Sequence, residues 1–283
     1  MYRTIVVHID GSPDQASRLH AAARLSNDFG AHLVGSAPTG ISWPAFVLLA
    51  GTAGVPVPDP ESDFQRLRDA ARARLDAFRS EAANLGVQSI EARVADDEAR
   101  YALLLQSRYA DLVVLSQERD GPAEHGLAPR VRHLPEFLAL RGARPVLVVP
   151  AQYDKSPIPD VAVVGWDGSM QALRAIGAAL PLLQRAGNVK LALVNPDQLS
   201  ELHGEEPGAD MALYLARQGV RVEVVCLRSA STAGAALMAL AADSGAGLIV
   251  TGAFGHSRYR EWVLGGVTRE LLERAPVPLL LAH

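Results

Sequence analysis

The stretch "TIVVHIDGSPDQASRLHAAARL", residues 4–25, returns later in the chain as "VAVVGWDGSMQALRAIGAALPLL", residues 161–183. Each copy has a β-branched apolar run, then Asp-Gly-Ser, then a segment rich in Ala and Leu. The aspartates of the two copies are Asp10 and Asp167. Self-similarity of this kind indicates that one fold occurs twice along the chain.

Within each copy, short β-rich runs alternate with segments whose apolar residues recur at helical spacing. Such alternation is typical of parallel strands joined by right-handed crossovers, with helices on both faces of the sheet. The expected fold class is α/β, with two tandem copies of a five-stranded, parallel-sheet, Rossmann-like domain. The predicted strands are 4–9, 32–36, 88–94, 112–116 and 145–149 in the first copy, and 161–165, 190–195, 221–227, 248–251 and 278–282 in the second.

Domain boundaries follow from the repeat. Residues 1–150 and 160–283 each hold one copy, and "AQYDKSPIP", residues 151–159, is a polar, proline-bearing segment typical of a linker. Each copy ends in an apolar strand, in "PVLVVP" (145–150) and "VPLLLAH" (277–283). Exposed edge strands pair readily, so these two edges are the expected contact between the copies.

Composition excludes several classes of function. A net charge of −4 and a pI near 6.1 give no basic field for nucleic acid. The single cysteine, Cys226, excludes an internal disulfide framework and fits a reducing compartment. Its place in a predicted strand favours a buried, inert thiol. The first residues, "MYRTIVVHIDGS", lack the pattern of a signal peptide, so the expected location is cytoplasmic.

One apolar run, Gly40–Pro60, is about as long as a membrane span needs. Breakers such as Pro44, Gly51 and Pro56 would leave backbone groups unpaired in lipid. The run therefore predicts a long apolar loop or a short helix within Pro38–Ser62, rather than a span. An apolar surface of this kind marks a subunit contact or a lid over a pocket.

The candidate chemistry lies in "TGAFGHSRYREWVLGGVTRELL", residues 251–272. Glycines let backbone N–H groups approach phosphate oxygens, and the helix that follows offers unpaired N–H groups and a positive dipole end. Because ligands bind beyond the carboxyl ends of parallel strands, Asp167 and Thr251 should lie at the same edge. The spacing is neither that of a Walker loop nor that of a dinucleotide fingerprint. The plainer alternative is that the glycines only form turns and Asp167 only caps a helix.

Together "DGS", "TGAFG", "LGGVT" and the final "APVPLLLAH" resemble the universal stress protein family. In that family G-x-x-G, nine residues and then G-[S/T] mark the members that bind ATP. Gly252, Gly255 and Gly265 match this pattern, and Gly266 stands where Ser or Thr is usual. The resemblance covers the whole chain and implies two adenine nucleotide alpha hydrolase-like domains packed as a pseudo-dimer, with further assembly into a homodimer open.

The resemblance also implies roles for individual residues. Asp167 would bond the adenosine, and the residues around the base and phosphates would be Gly165, Val194, Thr251, Val267 and Thr268. The first copy keeps Asp10, but Ser116 and Arg119 stand where Gly252 and Gly255 stand in the second. It is therefore expected to be a degenerate half.

The function implied is that of a cytoplasmic stress-response protein that binds ATP, with or without Mg²⁺, in its C-terminal domain. Nucleotide occupancy would bias contacts with a regulatory protein partner, and no nucleic acid or membrane partner is expected. No catalytic residue and no metal ligand is assigned. Two alternatives stay open at this point: a slow ATP hydrolase, and a nucleotide-free scaffold that binds a partner.

Overall fold

Ten strands form one sheet in the computed structural model, in the order β3-β2-β1-β4-β5-β10-β9-β6-β7-β8. The structure describes residues 1–52, 59–118, 133–151, 153, 160–198, 206–253 and 266–283. The strands are β1 Thr4–His8, β2 His32–Pro38, β3 Ile90–Ala95, β4 Leu112–Ser116, β5 Val146–Val149, β6 Val161–Gly165, β7 Asn188–Val194, β8 Val222–Leu227, β9 Leu248–Gly252 and β10 Leu279–Ala282.

Helices alternate with the strands, as the repeat predicts. They are α1 Gln15–Phe29, α2 Trp43–Thr52, α3 Pro60–Asn84, α4 Ala99–Ser107, α5 Leu134–Arg141, α6 Met170–Leu183, α7 Ala209–Arg217, α8 Ala233–Asp243 and α9 Gly266–Arg274, with a short 3-10 turn at Pro196–Gln198. The predicted α/β fold class is confirmed. Strand ends differ from the prediction by no more than two residues, which is the usual uncertainty of such boundaries.

The core consists of two apolar layers, one on each face of the sheet. Residues of α1, α3, α6 and α7 pack on one face, and residues of α4, α5, α8 and α9 pack on the other. Strand residues alternate between the layers, as in β1, where Ile5 and Val7 join the first layer and Val6 the second. Burial on both faces explains why the strands read as nearly continuous apolar runs.

The two halves of the chain join along the sheet. Strand β5 pairs with β10 in antiparallel register, with Leu147 opposite Leu280, while every other strand pair is parallel. The edges proposed from sequence are therefore the ones that pair. Side chains add to the seam, since the Tyr2 hydroxyl donates to the Ala178 carbonyl over 2.9 Å and Arg185 lies 4.2 Å from the Phe29 ring centroid.

Two expectations about particular segments can be compared with the structure. The apolar run after β2 forms helix α2, and no helix among the described residues is long and apolar enough to cross a membrane. The expectation of a buried Cys226 is wrong, because this thiol is exposed. Strand β8 lies at one edge of the sheet, as β3 does at the other. Helix α7, which packs on β8, has 9 residues, whereas α3, which packs on β3, has 25. A residue of β8 is therefore not necessarily buried.

Candidate functional site

The candidate site lies at the carboxyl edge of the C-terminal half of the sheet. Strand β6 has β7 on one side and β9 on the other, so the chain reverses its direction of travel across the sheet at β6. Parallel sheets leave a crevice at such a switch point, because the connections on the two sides go to opposite faces. Asp167, Val194 and Thr251 come from or directly after these three neighbouring strands, and α9 begins beyond β9.

Asp167 follows β6 and shapes the turn into α6. Its Oδ1 accepts a hydrogen bond from the Ser169 backbone N–H over 2.9 Å, and the Ser169 hydroxyl in turn accepts from the Ala172 N–H over 3.1 Å. The residue that caps α6 is therefore Ser169, and Asp167 stabilises the turn that leads into the helix.

Gly165 ends β6 under the site. A Cβ at this position would lie 3.1 Å from both Leu237 Cδ1 and Thr251 Cγ2, which is closer than ordinary contact. Thr251 itself is 6% exposed, and its hydroxyl has no hydrogen-bond partner in the structure as described. An unsatisfied buried hydroxyl is costly, and sites that receive a ligand or an ordered water are where such groups are expected.

The close approach of helix α6 requires a glycine at position 252. A Cβ there would lie 2.5 Å from the Ala172 backbone nitrogen and 2.6 Å from the Gln171 carbonyl carbon, both in the first turn of α6. Backbone atoms of a helix cannot move aside cheaply, so only glycine fits. The first glycine of the motif is therefore explained by helix packing, whether or not a phosphate also lies nearby.

Helix α9 begins at Gly266, which supports the predicted strand, loop and helix order. Gly266 and Val267 are exposed, and Thr268 is buried. A Cβ at Gly266 would have no heavy atom of the described residues within 4 Å. The other two glycines of the predicted cradle, Gly255 and Gly265, lie outside the described residues.

Val194 ends β7 and is half-buried beside the second apolar layer. The next residue, Asn195, has a positive φ of 49°. Its side-chain amide exchanges two hydrogen bonds of 2.9 Å with the backbone of Ser229, which follows β8. Asn195 was not foreseen from the sequence, yet it ties the ends of β7 and β8 together at the rim of the site.

The N-terminal half fills the equivalent place with side chains. His8, Arg18 and Ser116 stand where Gly165, Ala175 and Gly252 stand in the C-terminal half. Arg18 is 2% exposed and forms an ion pair with Asp10. It also donates from Nε to the His8 carbonyl over 2.7 Å and from Nη1 to Ser116 Oγ over 2.8 Å.

Arg18 was also missed from the sequence, although a signal was present. It shares the helical spacing i, i+4, i+7 with Ala22 and Leu25, so it lies on the buried stripe of α1. A charged residue on such a stripe requires a partner, because a buried unpaired charge is very costly. Two acidic residues precede it closely, Asp10 and Asp14, and the structure shows that Asp10 is its ion-pair partner.

The buried polar groups of the N-terminal half have shifted pKa values. Burial lowers the pKa of His8 from 6.5 to about 4, helped by the positive charges of Arg18 and Arg74 and opposed by Asp10, whose Oδ2 is 3.8 Å away. The pKa of Asp10 is held well below its usual range, because the attraction of Arg18 and His8 outweighs the effect of burial. His8 is thus neutral and Asp10 ionised at neutral pH.

This arrangement predicts an acid-sensitive fold. Since the pKa of His8 is lowered on folding, the unfolded chain binds its proton first as the pH falls. The stability contribution is complete above about pH 6.5 and is lost progressively down to about pH 4, in total about 3 kcal/mol. Protonation of Asp10 lowers the stability only below a pH of about 3.8, its pKa in the unfolded chain. The pH ranges in which His8 and Asp10 affect stability are therefore separate.

The measurement is urea unfolding at pH 7 and pH 5, on the parent protein and on His8→Gln. The parent should lose clearly more stability between these two pH values than the variant, because all other titrating groups are common to both. Equal losses in the two proteins would show that His8 is not the group responsible.

Other features of the molecule lie away from this edge. A cavity of about 380 Å³ opens at the seam between the halves, lined by residues such as Asp111, Arg144 and Arg174. It contains none of the predicted site residues. Among the described residues, no group of three His, Cys, Asp or Glu side chains is placed to hold a metal ion.

Comparisons with known proteins agree with this geometry. The model of the universal stress protein family matches residues 160–283. A universal stress protein from Archaeoglobus fulgidus DSM 4304 has a similar structure, with 16% identity, a TM-score of 0.69, and coverage of 99% of this chain and 95% of that one. A functionally unknown protein from Pseudomonas aeruginosa PAO1 is similar over 99% of this chain and 92% of its own, with 14% identity and a TM-score of 0.63.

A shorter solved structure, of a universal stress protein in complex with cAMP, covers 53% of this chain and 98% of its own, at 21% identity and a TM-score of 0.37. A comparison with curated proteins found no match. The two structures that match along nearly the whole chain show its fold, and the family model identifies the C-terminal half. Residues 160–283 are therefore a universal stress protein domain, in a chain that shares the fold of the Archaeoglobus fulgidus protein along nearly its whole length.

Proposed function

We propose that the C-terminal universal stress protein domain binds an adenine nucleotide, ATP in the first place, and that occupancy regulates contacts with a protein partner in the cytoplasm. The observation that carries this proposal is the convergence at one switch point of Asp167, the start of α9 and the buried Thr251 hydroxyl, which has no hydrogen-bond partner among the described residues. Residues 1–150 are proposed as a domain that does not bind nucleotide, and residues 151–159 as the linker.

The adenosine would lie over the ends of β6 and β7. Val194 offers an apolar surface to a flat base, and glycine at position 165 lets Leu237 and Thr251 pack closely beneath it. The carboxylate of Asp167 would accept a hydrogen bond from the nucleoside while holding its turn. A charged acceptor makes stronger hydrogen bonds than a neutral one, so this contact should contribute much of the affinity.

The phosphates would lie between the end of β9 and the first turn of α9. The unpaired N–H groups of a helix N-terminus and its dipole favour negative charge. Thr251 and Thr268 supply hydroxyls from the two elements that flank this space, and Gly255 and Gly265 would supply backbone donors by the family motif. No ligand set for Mg²⁺ is assigned among the described residues, so the metal would come with the nucleotide.

One observation favours the nucleotide-free scaffold as a second candidate. Gly252 is required by the close approach of α6, so the first motif glycine has a sufficient reason without any ligand. A slow hydrolase has no comparable support from the described residues.

Isothermal titration with ATP, ADP and cAMP separates the two candidates. The nucleotide proposal requires saturable binding of ATP by the whole chain, abolished in Gly255→Trp, whose indole would obstruct the cradle. If the parent protein does not bind ATP under conditions where its fold is intact, the nucleotide-free scaffold is the remaining candidate.

Gly266 offers a gain-of-affinity test of the phosphate position. Gly266→Ser restores the hydroxyl usual in the motif, and no atom of the described residues lies within 4 Å of an added Cβ. One added hydrogen bond is worth about 1 kcal/mol, so the affinity for ATP should rise about fivefold. Gly266→Ala is the matched control, because it adds the Cβ without the hydroxyl. If the two variants bind ATP equally, the hydroxyl does not reach the phosphates.

A further inference from the structure

We propose that the N-terminal half is a self-liganded site, closed by two of its own side chains, Arg18 and Glu118. The Arg18 guanidinium occupies the position opposite Asp10, and the Glu118 carboxylate occupies the N-terminus of α5. This inference goes beyond the proposed function and does not depend on nucleotide binding in the C-terminal half. It makes Arg18 and Glu118 the two groups that fill the polar edge of the N-terminal half.

Arg18 has the contacts of a bound ligand. Its guanidinium reaches Asp10 at the end of β1, and the carbonyl of His8 and hydroxyl of Ser116 at the ends of β1 and β4. Four strand-end and turn groups are satisfied by one buried cation, since Nη1 also lies 3.3 Å from the Ser12 hydroxyl. The C-terminal half has Ala175 in this position, which offers neither charge nor donor.

The start of α1 provides the room for this arrangement. Helix α6 begins at Met170, whereas α1 begins at Gln15, two residues later in the repeat. The later start leaves space for the Ser116 side chain, whose hydroxyl donates to the Asp14 carbonyl over 3.1 Å. In the C-terminal half the first turn of α6 lies against Gly252 instead. The two halves therefore differ in backbone as well as in side chains.

Glu118 accepts a hydrogen bond from the N-terminus of helix α5. Its Oε1 accepts a hydrogen bond of 2.7 Å from the backbone N–H of Leu134, the first residue of α5. Leu134 corresponds to Val267 in the first turn of α9, where the proposed phosphates would lie. A carboxylate at a helix N-terminus is stabilised by the same dipole and N–H groups that would attract a phosphate. The anion position of the N-terminal half is thus taken by the chain itself.

The consequence is a fixed asymmetry between two halves of one fold. The N-terminal half places the Arg18 guanidinium beside its aspartate, and the C-terminal half has Ala175 at the same position of the repeat. The test uses thermal unfolding of the full chain, with methylguanidinium chloride as the probe. Arg18→Ala vacates the guanidinium space and leaves Asp10 unpaired, so the melting temperature should fall by about 5–10 °C.

Millimolar methylguanidinium should then recover a measurable part of that loss, and methylammonium chloride at equal concentration should not. Arg18→Met fills the same space without a charge, and Arg18→Ala with Asp10→Asn removes the anion. Neither of these proteins should respond to methylguanidinium. An unchanged melting temperature in Arg18→Ala, or the same response in all variants, would overturn the proposal.

If Arg18→Ala does not fold, volume-conserving variants carry the test. Asp10→Asn, Arg18→Met and the double variant form a cycle in which the double variant should melt above Arg18→Met alone, because no buried charge is left unpaired. If the fall in melting temperature of the double variant equals the sum of the falls in the two single variants, the ion pair between Arg18 and Asp10 is contradicted. At the other end, Glu118→Ala should lower the melting temperature by about 2–4 °C through loss of the cap on α5, and an unchanged value would remove Glu118 from the proposal.

Discussion

Replacing Asp167 with asparagine should weaken ATP binding by at least tenfold while the fold stays intact. Asparagine keeps one oxygen to accept from the Ser169 N–H, so the turn into α6 is preserved. It replaces the other oxygen with an NH₂ group and removes the charge. A hydrogen bond to a charged group contributes about 1.5–3 kcal/mol, which corresponds to about 10- to 100-fold in affinity.

The matched control is Asp10→Asn, because Asp10 has the same place in the repeat. This variant should bind ATP as the parent does, but it should unfold at a lower temperature, since Arg18 is left as a buried unpaired cation. Titration calorimetry should show a loss of ATP affinity in Asp167→Asn and not in Asp10→Asn. Thermal unfolding should show a lower melting temperature in Asp10→Asn and not in Asp167→Asn. A loss of ATP affinity in Asp10→Asn, or none in Asp167→Asn, would place the ligand elsewhere.

Replacing Gly252 with alanine should destabilise the protein by about 2–3 kcal/mol, even though only one methyl group is added. Its Cβ would lie 2.5 Å from the Ala172 backbone nitrogen, so α6 would have to shift on the sheet. Overpacking of a filled core typically costs about 1–3 kcal/mol, and backbone neighbours give the upper end. Urea unfolding measures the loss directly.

Gly177→Ala is the control for this substitution, because Gly177 lies in α6, the helix that Gly252→Ala would displace. It is exposed, and an added Cβ would have no heavy atom of the described residues within 4 Å. Gly177→Ala should be stabilising by about 0.5–1 kcal/mol, the usual gain of alanine over glycine within a helix. If Gly252→Ala is as stable as the parent, the close contact between α6 and β9 is not a constraint, and the glycine has to be explained by the ligand instead.

The fold could be predicted from sequence because its signals are local and repeated. Apolar runs such as Val161–Gly165, followed by Asp-Gly-Ser and a helical pattern, occur twice, so each copy supports the interpretation of the other. The pairing of β5 with β10 followed from the apolar edge strands at the end of each copy. The exposure of Cys226 did not follow, because it depends on the length of a helix that packs on an edge strand.

The site was predictable only in part. Strand ends place Asp167 and Thr251 at one edge, since parallel strands share a direction. The reason for Gly252 was not visible, because it lies in the approach of α6, which is distant in sequence. The filling of the first copy by Arg18 was also missed, because the missing glycines pointed to a degenerate site without saying which side chain would take their place.

Native mass spectrometry of the full chain with added ATP tests the central claim most directly. One universal stress protein domain with an open site, beside a half closed by its own side chains, predicts a single bound nucleotide per chain. The adduct should be lost in Asp167→Asn and kept in Asp10→Asn. No adduct, or two equivalent adducts per chain, would contradict this account.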